Sequence, residues 1–108
     1  MIIMQGDAYS IPIQIETESG IADATTFSDV EIVIGALAKS LLEKNPEKKL
    51  EYDAEKKAFL FPITQNESFA MRSAIQPVQV RVKTGSGEVI GIPLGDINIT
   101  ESASKEVL

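Results

Sequence analysis

The chain has 108 residues, the length of one domain, and its 44% apolar and 24% charged residues are typical of a globular protein, which excludes disorder throughout. The formal net charge is −6, and the lysines between residues 44 and 57 alternate with glutamates, which argues against a nucleic-acid-binding surface. The absence of histidine and cysteine excludes disulfides, a Ser-His-Asp triad and a structural zinc site.

The first predicted strand covers residues 9–15, where apolar and polar residues alternate. Pro12 has no amide hydrogen to donate, so this strand should lie at a sheet edge or beside a bulge. Residues 17–20 have turn composition, and residues 21–28 are expected to form a loop or a short irregular strand. The start of the chain has no basic segment followed by a long apolar one, so we expect no signal peptide.

Two interpretations compete for residues 28–44. Ser28 and Glu31 fit a helical capping box, but the run Val-Glu-Ile-Val-Ile is rich in β-branched residues and alternates. We predict a strand over residues 29–36, with Gly35 at a bulge or a close packing contact. Residues 37–44 fit a strand or a helix, and the sequence leaves this open.

The middle of the chain predicts a hairpin followed by one short helical turn. Residues 45–47 should form a turn, residues 50–52 a strand and residues 53–57 a hairpin loop. Residues 58–63 then return with Phe59, Phe61 and Ile63 on one face. Thr64 and Glu67 form a second capping-box pattern, and the helical turn that follows is too short to be stable without packing.

A second hairpin is predicted near the carboxy-terminal end. Valines alternate with polar residues over residues 78–83, the glycines Gly85 and Gly87 suit a tight turn, and an apolar run returns over residues 89–94. Pro93 again indicates an edge or a bulge. Residues 96–100 alternate as a last strand. Six or seven short strands without long intervening helices favour an all-β antiparallel sandwich in one domain, residues 1–108.

The sequence offers little catalytic or ligand-binding chemistry. Paired carboxylates such as Asp7 with Glu16 could act as acid and base, but a chain this short has little material for a cleft beside its core. Asp23, Asp29 and Asp96 lack the spacing of a calcium loop and are better interpreted as turn residues. We therefore predict no enzyme activity, no cofactor and no metal.

Four segments together resemble the amino-terminal domain of phage baseplate upper proteins and small prophage structural proteins. They are QGDAYSIPIQI, DVEIVIG, YDAEKKAFLFPITQNES and VQVRVKTGSGEVIG. Members of this family open with a Gly-Asp pair before a strand, place a short helical turn mid-chain, and end with a hairpin whose first strand alternates valines with a basic residue. The matching positions are Gly6 and Asp7, Ile63 and Thr64, and the run Val80-Arg81-Val82. Together with the capping-box glutamate and the turn glycines they give the structural motif residues Gly6, Asp7, Thr64, Glu67, Arg81, Gly85 and Gly87.

The resemblance implies an immunoglobulin-like sandwich of about seven strands that assembles in a tail or baseplate. Its partners would be other phage structural proteins or copies of itself as a homo-oligomer. The net charge of −6 and the lack of an apolar run long enough to span a bilayer separately predict no contact with nucleic acid or membrane. Such a protein is made in the bacterial cytoplasm and becomes part of the virion. The tail, residues 101–108, is polar and should fray in an isolated domain, so we expect a neighbouring chain or the chain's own sheet to hold it, with Val107 and Leu108 as the anchors and possible partner contacts.

A carbohydrate-binding β-sandwich is the alternative function. It requires exposed aromatic side chains, and Tyr9, Tyr52 and Phe27 are the residues that could supply them.

Overall fold

The computed structural model describes residues 2–108, except for the side chain of Asp96, and the fold is all-β as predicted. Within that range it has ten strands, one α-helix and one turn of 3-10 helix at Pro46–Lys48. The strands are β1 Ile2–Met4, β2 Tyr9–Ile13, β3 Glu16–Thr17, β4 Gly20–Ile21, β5 Asp29–Ile34, β6 Leu37–Ser40, β7 Glu51–Asp53, β8 Ala58–Ile63, β9 Ile75–Lys83 and β10 Val89–Thr100, and the helix is α1 Gln65–Ala70.

The strands form two sheets and one small hairpin. The larger sheet has the order β1-β10-β9-β5-β6, the smaller has the order β2-β8-β7, and β3 pairs with β4. Every strand pair is antiparallel except β1 with β10, which run parallel. The expectation of about seven strands in a fully antiparallel arrangement is therefore wrong. The strands it missed, β1, β3 and β4, have only two or three residues, too few for an alternating pattern to be recognised.

Side chains from both sheets meet in one apolar cluster. Alternation directs every second residue inward, which removes these aliphatic and aromatic groups from water. The larger sheet contributes Ile3, Val30, Ile32, Ile34, Val78, Val80, Val82, Ile97 and Ile99, and the smaller contributes Ile11, Phe59, Phe61 and Ile63.

The segment that sequence left open forms a strand. Residues 37–40 are β6, which pairs with β5 so that Ile34 lies opposite Leu37. The predicted strand over residues 29–36 is confirmed but ends at Ile34. Gly35 lies in the tight turn between these strands with φ +57°, so the expected bulge at this residue is wrong. A Cβ built on it would lie 3.5 Å from Gln76 Oε1, an ordinary contact, so the positive φ and not close packing is what favours glycine here.

Pro12 and Pro93, the two prolines predicted to mark an edge or a bulge, both lie where an unpaired backbone is tolerated. Pro12 is in β2, an edge strand of the smaller sheet. Pro93 precedes a register shift in β10 between Pro93 and Gly95, which confirms the predicted bulge. The last alternating segment is the continuation of β10 beyond this bulge and not a separate strand.

Candidate functional site

Four of the predicted motif residues meet around α1. The Thr64 hydroxyl accepts from the Glu67 amide at 3.1 Å, and Glu67 Oε1 accepts from the Thr64 amide at 2.9 Å, which confirms the capping box. Ser68, the buried residue of the helix, accepts from the Gly6 amide at 2.8 Å and donates to the Asp7 carbonyl at 2.8 Å. The connection between β1 and β2 is thereby fixed to the helix.

Gly6 allows this close approach in two ways. Its φ of +95° lies in the left-handed region, and a Cβ built on it would lie 2.8 Å from Phe69 Cζ. The Asp7 carboxylate turns back and accepts from the Met4 amide at 3.0 Å. The Gly-Asp pair therefore serves packing and a turn.

A buried ion pair, which sequence reasoning missed, lies beside the capping box. Lys39 in β6 is 4% exposed; its Nζ lies 3.0 Å from Glu67 Oε1, donates to the Pro62 carbonyl and lies 5.3 Å from the centre of the Phe61 ring. Alternation could have placed Lys39 on the inward face with Leu37, had the segment been assigned as a strand. An inward-facing charge on an edge strand also discourages pairing with other chains.

The charge of Glu67 is stabilised by this arrangement. Partial burial acts to raise the pKa of Glu67, but the amide of Thr64 and the ammonium of Lys39 outweigh burial and lower that pKa below its ordinary value. One carboxylate oxygen thus holds the helix start and the edge strand β6 together.

Shallow hollows flank α1. The hollow between α1 and the β5–β6 turn measures about 430 Å³ and is lined mainly by apolar groups such as Ile34, Leu37 and Met71. Glu67 is the acidic residue that lines this hollow. Its Oε1 already accepts hydrogen bonds from Lys39 Nζ and from the Thr64 amide. Within the described residues, no three carboxylates lie close enough together to hold a metal ion.

Of the two aspartates proposed for turns whose side chains are described, Asp23 has that role, whereas Asp29 is the first residue of β5 and the turn assignment is wrong for it. The hydroxyl and the amide of Thr25 both donate to Asp23 Oδ1 at 2.7 Å, and the hydroxyl first and the amide second lower the pKa of Asp23. Asp29 Oδ1 accepts from the amides of Val30 and Leu42. The side chain of Asp96 lies outside the described part of the chain.

The other motif residues lie on the β9–β10 hairpin. Arg81 is on the outer face of the larger sheet, where its guanidinium is 3.8 Å from Glu31. Gly87 has φ +92° and makes the turn, whereas Gly85 does not have a positive φ. These three residues therefore belong to a region separate from the α1 cluster.

The edge of β10 is the longest open strand edge in the fold. β1 covers only Asn98 to Thr100, so among residues 2–108 the segment 89–95 of β10, which we call the β10 edge, pairs with β9 alone. Three apolar side chains of this segment are exposed, Val89 at 56%, Ile90 at 46% and Leu94 at 38%.

The tail, residues 101–108, leaves the sheet beyond Thr100. Lys105 Nζ lies 3.5 Å from Gln5 Oε1, but Val107 and Leu108 are exposed and are not held by the chain's own sheets. Their proposed contact with a partner stays a prediction.

Of the three aromatic residues considered for sugar stacking, Tyr9 is exposed, whereas Tyr52 and Phe27 are half-buried. Tyr9 is 42% exposed, and burial followed by the charge of Asp7 raises its pKa. Tyr52 packs edge-on against Phe59 with ring centres 5.1 Å apart, and Phe27 packs against the core.

Comparison of the chain with protein-family models, with curated proteins and with solved structures gives no match. Among residues 2–108, no helix has both the length and the hydropathy needed to span a membrane.

Proposed function

We propose that this protein is a non-enzymatic structural module of a phage or prophage particle, which assembles through protein–protein contacts in a tail or baseplate. The proposed body is an immunoglobulin-like sandwich in which the larger sheet packs on the smaller one. Two sheets that share one core support this architecture.

The observation that carries the proposal is where the exposed apolar groups lie. Five of the eleven large apolar side chains exposed among residues 2–108 lie on the β10 edge or at the end of the tail, and the other six are spread over β1, β2, β4, β9 and the loop after β6. Open strand edges and extended segments are elements by which proteins bind other proteins. The carboxylates of Asp7, Asp23, Asp29 and Glu67 accept hydrogen bonds from backbone amides.

The test is to follow the protein during particle assembly. A tagged copy is expressed in a lysogenic host, the prophage is induced, and particles are separated on a density gradient. We expect the protein to migrate with tails or whole particles, while a cytoplasmic host enzyme of similar size stays at the top. Recovery of the protein only at the top of the gradient would overturn the proposal.

A further inference from the structure

We propose that residues 101–108 of one copy bind as an added strand to the β10 edge of a second copy. The inference rests on the proposed function, because it names the partner and the contact through which such a module would assemble.

The backbone of the β10 edge has amide and carbonyl groups with which an added strand could pair. The Thr84 amide donates to the Glu88 carbonyl, so Glu88 faces β9, and backbone groups alternate in direction along a strand. Val89 and Gly91 therefore direct their amide and carbonyl groups away from β9. Pro93 offers a carbonyl without a donor, which limits the edge to a short pairing.

The side chains along this edge are apolar on the core-facing side. Ile90 lies opposite the buried Val82 in register, yet it is 46% exposed because no strand follows β10 there within the described residues. A strand added outside β10 would cover Ile90 with one of its own inward side chains. Covering this surface removes apolar area from water and favours binding.

The outer face of the same edge selects an acidic partner residue. Gly91 lies opposite Arg81, and a Cβ built on Gly91 meets nothing within 4 Å, so the space above it is open. An added strand lies roughly 10 Å from β9, within reach of two long side chains that extend toward each other across a glycine. A carboxylate opposite Gly91 would approach Arg81, whose contact with Glu31 is long and exposed.

The tail has the matching pattern. Glu106 is followed by Val107, so an extended tail with Glu106 directed toward Arg81 would direct Val107 toward Ile90. Val107 is 59% exposed in its own chain. A tail cannot easily fill the edge of its own β10, since it leaves the sheet at Thr100, where β1 already occupies the neighbouring position.

Pairing of tail to edge is a heterologous contact, which generates a closed ring or an open chain of copies. An eight-residue strand buries less than the roughly 800 Å² per partner of a stable complex, so association should depend on concentration. A symmetric contact between two β10 edges is the competing arrangement.

Charge exchange in the full-length chain tests the inference. Self-association is measured by sedimentation velocity over a concentration series for the wild type, Arg81→Glu, Glu106→Lys and the double variant. We expect each single variant to weaken association about two- to five-fold, the range of an exposed ion pair, and the double variant to recover most of the loss. Lys56→Glu, the same charge change in the β7–β8 loop, should leave association unchanged.

Hydrogen exchange locates the contact independently. In the associated wild type, the amides of Val89 and Gly91 should exchange more slowly than in dilute solution, while the Ile90 amide, already directed toward β9, should change little. An effect of Arg81→Glu without an effect of Glu106→Lys would instead indicate edge-to-edge pairing and overturn the tail as the occupant. Unchanged exchange at Val89 and Gly91 on association would also overturn it.

The two proposals fail in different ways. A chain that stays monomeric at the highest concentration but migrates with particles contradicts the tail contact and leaves the structural role standing. A chain that self-associates with the expected charge pattern but never migrates with particles contradicts the structural role alone.

Discussion

Lys39 and Glu67 show how a single oxygen atom links two elements. Glu67→Ala removes the acceptor and leaves a Lys39 ammonium, 3% exposed in its side chain, with the Pro62 carbonyl as its remaining close partner. We expect a loss of about 2–4 kcal/mol in the free energy of unfolding, since removing one member of a buried pair leaves a charge without compensation. Urea unfolding followed by circular dichroism measures this loss.

Glu67→Gln and Lys39→Met are the matched controls. Glutamine keeps an acceptor oxygen for the Thr64 amide and for Lys39, so it should cost about half as much, because bonds to neutral groups are weaker than charge-assisted ones. Methionine fills a similar volume against Phe61, and the Glu67 carboxylate that it leaves is 21% exposed and still accepts from the Thr64 amide, so Lys39→Met should cost less than Glu67→Ala. Equal losses for Glu67→Ala and Glu67→Gln would contradict the role given to the acceptor oxygen.

The same carboxylate gives the protein a pH dependence with a defined sign. The pKa of Glu67 is lower in the folded protein than its ordinary value of 4.5, so the unfolded chain binds more protons in this range. The stabilisation is present above pH 4.5 and is lost as the pH falls through the lowered folded pKa. The difference in unfolding free energy between wild type and Glu67→Gln should therefore shrink from pH 6 to pH 3; a constant difference would contradict the assignment.

At the scale of elements, the docking of α1 on the β1–β2 connection depends on Gly6. Gly6→Ala combines an unfavourable φ of +95° with a contact of 2.8 Å to the Phe69 ring. Gly20→Ala is a matched control, because its φ is +113° but a Cβ there meets nothing within 4 Å. Backbone strain costs both variants about 1–2 kcal/mol, and the close contact should cost Gly6→Ala roughly 1–3 kcal/mol more.

Thermal unfolding of the two variants measures this difference. Ser68→Ala offers a second probe of the same junction, because it leaves the Gly6 amide without its acceptor at an expected cost of about 1–3 kcal/mol. A Gly6→Ala protein as stable as Gly20→Ala would show that Phe69 moves aside and that the junction is not tightly packed.

Elements that depend on a pattern among residues close in sequence could be predicted. The alternation of Phe59, Phe61 and Ile63 and the capping pair of Thr64 and Glu67 are local, and the structure confirms both. Parts of the fold that depend on distant residues could not be predicted. β1 is defined by pairing with the far end of the chain, and the burial of Lys39 depends on a partner 28 residues away.

The β10 edge likewise combines a local pattern that could be predicted with a long-range feature that could not. Pro93 predicted a strand edge or a bulge, and both are present in β10, but the extent of the open edge, residues 89–95, could not be predicted. Openness depends on β1 being only three residues long and covering Asn98 to Thr100 alone. Such lengths are set by tertiary packing and not by local propensity.

At the scale of the whole molecule, one shared core implies that both sheets unfold together. Phe61 belongs to the smaller sheet and Val80 to the larger, and both are fully buried in the same cluster. In a Tyr9→Phe background, Tyr52 is the remaining tyrosine and reports on the smaller sheet through its contact with Phe59. Val80→Ala, a change in the other sheet, should destabilise the protein by about 1–3 kcal/mol through a cavity and lower the midpoint of the Tyr52 transition equally.

Two probes decide whether this cooperativity holds. Tyr52 fluorescence and far-ultraviolet circular dichroism should give coincident urea transitions in the Tyr9→Phe chain and in its Val80→Ala derivative, as two-state unfolding requires. Phe61→Ala, a change in the smaller sheet, is expected to cost about 3–5 kcal/mol and should lower the urea midpoint of both signals. Separate transitions, with Val80→Ala moving only the circular dichroism signal, would show that the sheets are independent units, and an assembly contact at the β10 edge would then not stabilise the smaller sheet.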